Sequence, residues 1–162
     1  MEIIKITEEN IPSAAVLAAD FRVTLKGYKG IVSRPDAEAA QEELREYLDA
    51  GWPCFGAVED GKWAGYVVCR VDEPCVWVEA LYVTPEFRRR GIASALMAQA
   101  EKIAAAYGEE TVFNYVHPNN HGMIAFLRRH GYTVLNLIEI RKPYRDEKFV
   151  GKINVGENQF DY

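Results

Sequence analysis

Apolar positions along this chain recur with two different periods, and the changes of period mark out its elements. Residues 2–6 (EIIKI) alternate weakly and predict a short strand. From residue 11 to about 25 the apolar residues Ile11, Ala15, Ala18, Phe21 and Leu25 stand at helical spacing, and Pro12 suits a first turn. A loop holding Gly27, Tyr28 and Gly30 is expected next, followed by a second helix over residues 36–48 closed by Gly51. Three strand-like runs come after it, residues 54–59, 62–71 and 75–83. Asp60-Gly61 signals a tight hairpin between the first two, and Asp72, Glu73 and Pro74 form a turn between the second and third, so the three make an antiparallel meander.

In the second half, Ile92, Leu96, Ala100, Ile103 and Tyr107 share one face of a helix predicted over residues 91–107 and stopped by Gly108. Residues 111–116 read as a strand, 120–130 as a short helix ended by Gly131, 132–141 as another strand, and 149–155 as a last strand before a polar tail. No repeat, low-complexity stretch or linker interrupts this order, which predicts one α/β domain over residues 1–162 built on a sheet of mixed, mostly antiparallel direction.

Composition narrows the picture. At 162 residues and 49% hydrophobic, the chain has material for one packed core and too little for two ordinary domains. No apolar run is long enough to span a membrane and no leader pattern opens the chain, so a cytoplasmic protein is expected. Cys54, Cys69 and Cys75 have no metal-ligand spacing and read as small core residues in a reducing compartment; no metal is expected. A net charge of −5 argues against a general nucleic-acid binder.

Against that acidic balance, TPEFRRRGIASAL (residues 84–96) places Arg88, Arg89 and Arg90 directly before a glycine and a helix. Cations are misplaced at a helix N-terminus, where the dipole disfavours each by about 0.3–1 kcal/mol. An anion held between them and the unpaired backbone amides removes the conflict. The spacing fits neither G-x-x-x-x-G-K-[ST] nor G-x-G-x-x-G. A solvated loop is the plain alternative.

Arg88-x-x-Gly91-x-Ala93 after LYVTPEF resembles the acyl-CoA pyrophosphate loop of the GNAT family of N-acetyltransferases, Q/R-x-x-G-x-G/A after the fourth strand. VHPNNHGMIAFLRRHGY (residues 116–132) resembles that family's second signature, a strand, an asparagine, a short helix and a glycine-aromatic pair. The order of elements matches along nearly the whole chain. The resemblance implies the GNAT fold and acetyl-CoA as co-substrate. It also implies that backbone groups of Leu81, Tyr82 and Val83 hold pantetheine, and that the stretch of Arg88, Arg89, Arg90, Gly91, Ile92, Ala93 and Ser94 holds the diphosphate. Asn120 would contact the pantetheine arm; its alternative role is a helix cap.

Acetyl transfer needs an unprotonated amine, and neutralising a lysine-like amine at pH 7 costs about 4.6 kcal/mol. In CVWVEALYV, a run apolar on both faces, Glu79 is the one acid, on a face with Trp77 and Leu81, and burial would tune it towards a general base. The alternative is an ion pair with a helix arginine that only fixes packing. The tyrosine that serves many relatives as general acid is replaced by Leu127, which has no proton to give. Tyr115 is the candidate substitute, with Tyr82, His117 and water as alternatives.

By the same resemblance, the acceptor site is shaped by LKGYKGIVSRPD and by the segment after Tyr144, with Phe21, Tyr28 and Glu79 as acceptor residues. A small polar amine, such as a polyamine, aminoglycoside or amino acid derivative, is the first expectation. A protein N-terminus or lysine is the second, and a non-catalytic acyl-CoA-binding module the third. TVLNLIEI (residues 133–140) would serve a homodimer or an interior strand equally.

Overall fold

In the computed structural model, which describes residues 1–162, strand β1 (Glu2–Lys5) leads through a turn of 3-10 helix into α1 (Ile11–Tyr28) and then α2 (Ala37–Asp49). Three strands follow, β2 (Cys54–Glu59), β3 (Lys62–Asp72) and β4 (Cys75–Val83), then α3 (Ile92–Ala106), β5 (Phe113–Asn114) and α4 (His121–Arg129). One sheet has the order β1-β2-β3-β4-β5, antiparallel up to β4 and parallel between β4 and β5. The mixed α/β fold is therefore the one the sequence predicts.

Local chemistry sets the element ends. Asp36 caps α2 by accepting the Ala39 N–H at 3.0 Å, and Asn120 caps α4 by accepting that of Met123 at 3.1 Å. The α1 helix runs three residues beyond its predicted end, because nothing in Lys26-Gly27-Tyr28 forces a stop; Gly27 and Tyr28 are helical rather than loop.

Helices lie on both faces of the sheet. Tyr66 and Val68 of β3 pack with Leu17 and Phe21 of α1 and Leu44 of α2 in one buried cluster. A Cβ at Gly65 would instead stand 3.3 Å from Leu96 of α3. Neighbouring strand residues point to opposite faces, so α3 covers the side away from α1 and α2. Cys54 and Cys69 are buried in this core, where desolvation pushes each thiol up to about 12, and Cys75 is half-buried; all three are free.

The chain divides into two compact units, Met1–Phe126 and Leu127–Tyr162. The second holds the end of α4 and a hairpin of β6 (Lys152–Val155) and β7 (Asn158–Asp161), paired antiparallel. The last strand expected over 149–155 forms over Lys152–Val155, and the polar tail after it supplies a further strand. The strand expected over residues 132–141 does not form. Strand structure is a pairing, and residues 133–143 make no backbone–backbone hydrogen bond; Val134 and Leu135 are 85% and 71% exposed. The strand expected over 111–116 is paired only at Phe113 and Asn114.

Candidate active site

Glu79 sits where β4 loses register. Val68 pairs with Ala80 and Cys69 with Val78, so Glu79 is the extra residue of a β-bulge and has no partner on β3. Burial along β4 still alternates, with Trp77, Glu79 and Leu81 half-buried between the buried Val76, Val78, Ala80 and Tyr82. Its carboxylate does have an ion-pair partner, but a strand residue rather than a helix arginine: Arg70 of β3, with Nη1 3.5 Å from Oε2. Arg70 also lies 3.2 Å from Asp72 through Nε. Its guanidinium stands over the rings of Trp77 at 5.1 Å and Tyr115 at 5.7 Å, which are themselves stacked at 4.8 Å.

Glu79 opens onto a cleft. Phe21 and Leu25 of α1 form one wall, Val78 and Leu81 the floor, and Asn114 to His117 with Asn120 and Met123 the other wall. The two walls are tied at one end. Tyr28 stacks on His117 with ring centres 5.9 Å apart, and the Asn119 side-chain amide donates to the Tyr28 carbonyl at 2.9 Å. The Asn119 backbone N–H donates to His117 Nδ1 at 3.1 Å. Burial and then the charge of Lys29 hold this imidazole below the usual histidine range. Tyr115 lines the cleft and is 56% exposed. Tyr82 is buried against Phe21 at 5.8 Å, and burial, with the nearby Asp20 carboxylate, pushes its hydroxyl up. Leu127 is buried and offers no donor.

Beyond Val78, β4 has no partner on its β5 side, because the parallel pairing stops at Val78 and Asn114. The backbone edge from Glu79 to Tyr82 is open there, a template for an extended ligand. It leads to the N-terminus of α3, where Gly91 is the N-cap at φ +82° and no side chain caps the helix. A Cβ on Gly91 would meet nothing, so the approach to these amides is clear. An extended arm ending in phosphate fits this edge and helix mouth.

The three arginines separate into different jobs. Arg88 donates from Nε to the Val83 carbonyl at 3.0 Å, which pins the turn onto the end of β4 and occupies that oxygen. Arg90 faces Glu59 at 3.7 Å and lies over Phe87 at 5.2 Å. Arg89, left-handed at φ +65° and exposed, has no side-chain partner. Glu79, Leu81, Tyr115, Asn120 and Phe21 are thus brought to one cleft, and Tyr28 to its end. Tyr82 and Val83 lie along the strand that leads away from it. Sequence reasoning missed Arg70; the register through the hairpin turn, which puts it opposite Trp77, is the signal that would have found it.

The family model of the acetyltransferase (GNAT) family matches residues 22–132. Among solved structures, the chain is similar to an aminoglycoside 6'-N-acetyltransferase from Acinetobacter haemolyticus at 18% identity and TM-score 0.67, over 89% of this chain and 99% of that one. It is similar to the PaiA N-acetyltransferase from Thermoplasma acidophilum, in complex with coenzyme A, at 24% identity and TM-score 0.66, over 80% and 87%. A ribosomal-protein-alanine N-acetyltransferase from Brucella melitensis biovar Abortus 2308 gives 18% identity and TM-score 0.68, over 89% and 100%. At these identities the structures speak for the fold, and the family model, spanning more than half the chain, speaks for membership. The chain belongs to the acetyltransferase (GNAT) family.

Proposed function

We propose that this protein transfers an acetyl group from acetyl-CoA to the primary amine of a small molecule, with Glu79 as general base. One observation carries the reading: the carboxylate at the β4 bulge, the open β4 edge and the uncapped mouth of α3 lie along one strand–turn–helix path. Coenzyme A complexes of similar folds support the co-substrate. Backbone groups at Leu81 take the pantetheine arm, and the amides from Gly91 to Ala93, with Arg89 beside them, take the diphosphate.

Acetyl-CoA supplies the acyl group as a thioester. The amine nitrogen bonds to the carbonyl carbon, the carbon–sulfur bond breaks with its electrons going to sulfur, and Glu79 accepts the ammonium proton directly or through water. Arg70 holds the carboxylate while this happens. Tyr115, on the cleft wall next to Glu79's partner, is the proton donor to the departing thiolate; with a thiol pKa near 8.5, water also suffices.

No helix is long and apolar enough to cross a membrane. The three free cysteines support a cytoplasmic setting. The unpaired apolar run at residues 133–140 supports pairing with a second copy. Release of coenzyme A with a panel of small amines and peptides tests the activity. Turnover with small amines, its loss by about 10²–10⁴ in Glu79→Gln and retained coenzyme A binding are expected. Tight binding with no turnover on any acceptor overturns the catalytic reading.

A further inference from the structure

The charges around the acceptor end of the cleft are not those of a polycation site. Glu79 is the one acid among the cleft-lining residues, and Arg70 already stands against it. Of the acids nearby, Asp20 of α1 stands by Tyr82, along the strand that leads away from the cleft. Asp36 caps α2, and Glu43 is held by Arg22 and by the hydroxyl of Tyr47.

The cations are in the opposite condition. Residues 25–35 (LKGYKGIVSRP) hold Lys26, Lys29 and Arg34 and no acid, in a chain whose net charge is −5. All three are exposed and their side chains have no partner. Lys29 adjoins Tyr28 at the tied end of the cleft, close enough for its charge to act on His117. Lys26 and Arg34 line a second hollow, between α1 and α2, together with Arg22. At the tied end of the cleft, an acceptor with a second ammonium group would meet Lys29 and no acid other than Glu79 among the lining residues. One with an anionic group would meet the same cation as an attraction.

We propose that the acceptor is an amine that also carries an anionic group, a carboxylate being the simplest, received by the free cations of the segment between α1 and α2 while its amine faces Glu79. The inference narrows the acetyltransferase reading and rests on it. Lys29, nearest the cleft, is the principal contact. Lys26, one turn earlier on α1, and Arg34 add a positive field that draws such an acceptor in and weakens with salt.

Three series of primary amines of matched chain length test it: ω-amino carboxylates, n-alkylamines and diamines. They share the reacting group and differ only in the far end. The order of kcat/KM expected is carboxylate, then methyl, then ammonium, with about two- to fivefold at each step, the most that one exposed charge contact supplies. Lys29→Glu, and more so Lys26→Glu with Lys29→Glu, reverses that order. A wild-type preference for the diamines, or an order that the charge reversals leave unchanged, overturns the proposal.

Glu79→Gln separates it from the reading on which it rests. If Glu79 is the base, that variant loses turnover with all three series alike and keeps their order. If another group is the base, turnover survives and the order still reports the charge preference. Should no series turn over, calorimetry of the three amines on the coenzyme A complex reads the same order from binding, and absence of binding by the carboxylate series overturns the proposal.

Discussion

Arg70 Nη1 lies 3.5 Å from Glu79 Oε2, and its guanidinium covers the stacked rings of Trp77 and Tyr115. One side chain from β3 therefore organises both groups proposed to handle protons. A bulged residue lacks the cross-strand partner that would fix its direction, so the ion pair supplies what the ladder does not.

Arg70→Met is expected to keep the stem packing on Trp77 and lose the charge. Turnover should fall about tenfold while the KM for acetyl-CoA stays put, because the carboxylate is no longer held in line; misplacement of this kind has costs up to about 10². Arg70→Lys should restore part of the rate. Steady-state kinetics of the two variants check this, and a rise in the KM for acetyl-CoA with unchanged kcat would count against it.

The arginine run makes a sharper prediction, since its members do different work. Arg88→Ala removes a donor to the Val83 carbonyl and should lower stability by about 0.5–1.5 kcal/mol. Arg89→Ala touches nothing in the protein and should leave stability within about 0.5 kcal/mol, yet weaken coenzyme A binding and flatten its salt dependence. Gly91→Val forces a β-branched residue into φ +82° and should cost about 1–3 kcal/mol as well as affinity. Thermal melts with and without coenzyme A separate the three.

His117 makes stability depend on pH. Its folded pKa lies below the unfolded value of 6.5, so between the two the unfolded chain binds more protons. Stability from the neutral imidazole is fully present above pH 6.5 and is lost as pH falls through the folded value. His117→Phe keeps the ring on Tyr28 and removes the titration. Its melting temperature should fall less than that of the wild type between pH 7 and pH 5, and parallel curves would refute the assignment.

Much of this site is legible in the sequence because it is local. The strand, the glycine at positive φ and the helix after it are consecutive, and Glu79 is the single acid in an apolar strand. What was not legible depends on register and on pairing. The bulge at Glu79 follows from how β3 and β4 align, and Arg70 comes into play only through that alignment. The arginines read alike in the sequence and differ once the turn gives two of them partners. Residues 132–141 carry strand composition, but composition does not supply a neighbouring edge.

Two glycines with opposite surroundings give a final test of how the cleft is held open. Gly65 pairs with Val83, and a Cβ there would stand 2.6 Å from the Tyr82 carbonyl, with Val83 Cγ2 at 3.1 Å and Leu96 Cδ1 at 3.3 Å. The nearest of these is backbone and cannot rotate away, so β4 must move at the edge proposed to hold pantetheine. Gly65→Ala is expected to cost about 1–3 kcal/mol and to weaken coenzyme A binding. Gly27, in the last turn of α1, has nothing within 4 Å of such a Cβ. Gly27→Ala should stabilise the fold by about 0.5–1 kcal/mol with coenzyme A affinity unchanged. Denaturant unfolding and calorimetry on the pair check both signs at once: if Gly65→Ala binds coenzyme A as the wild type does, the end of β4 is not part of that site.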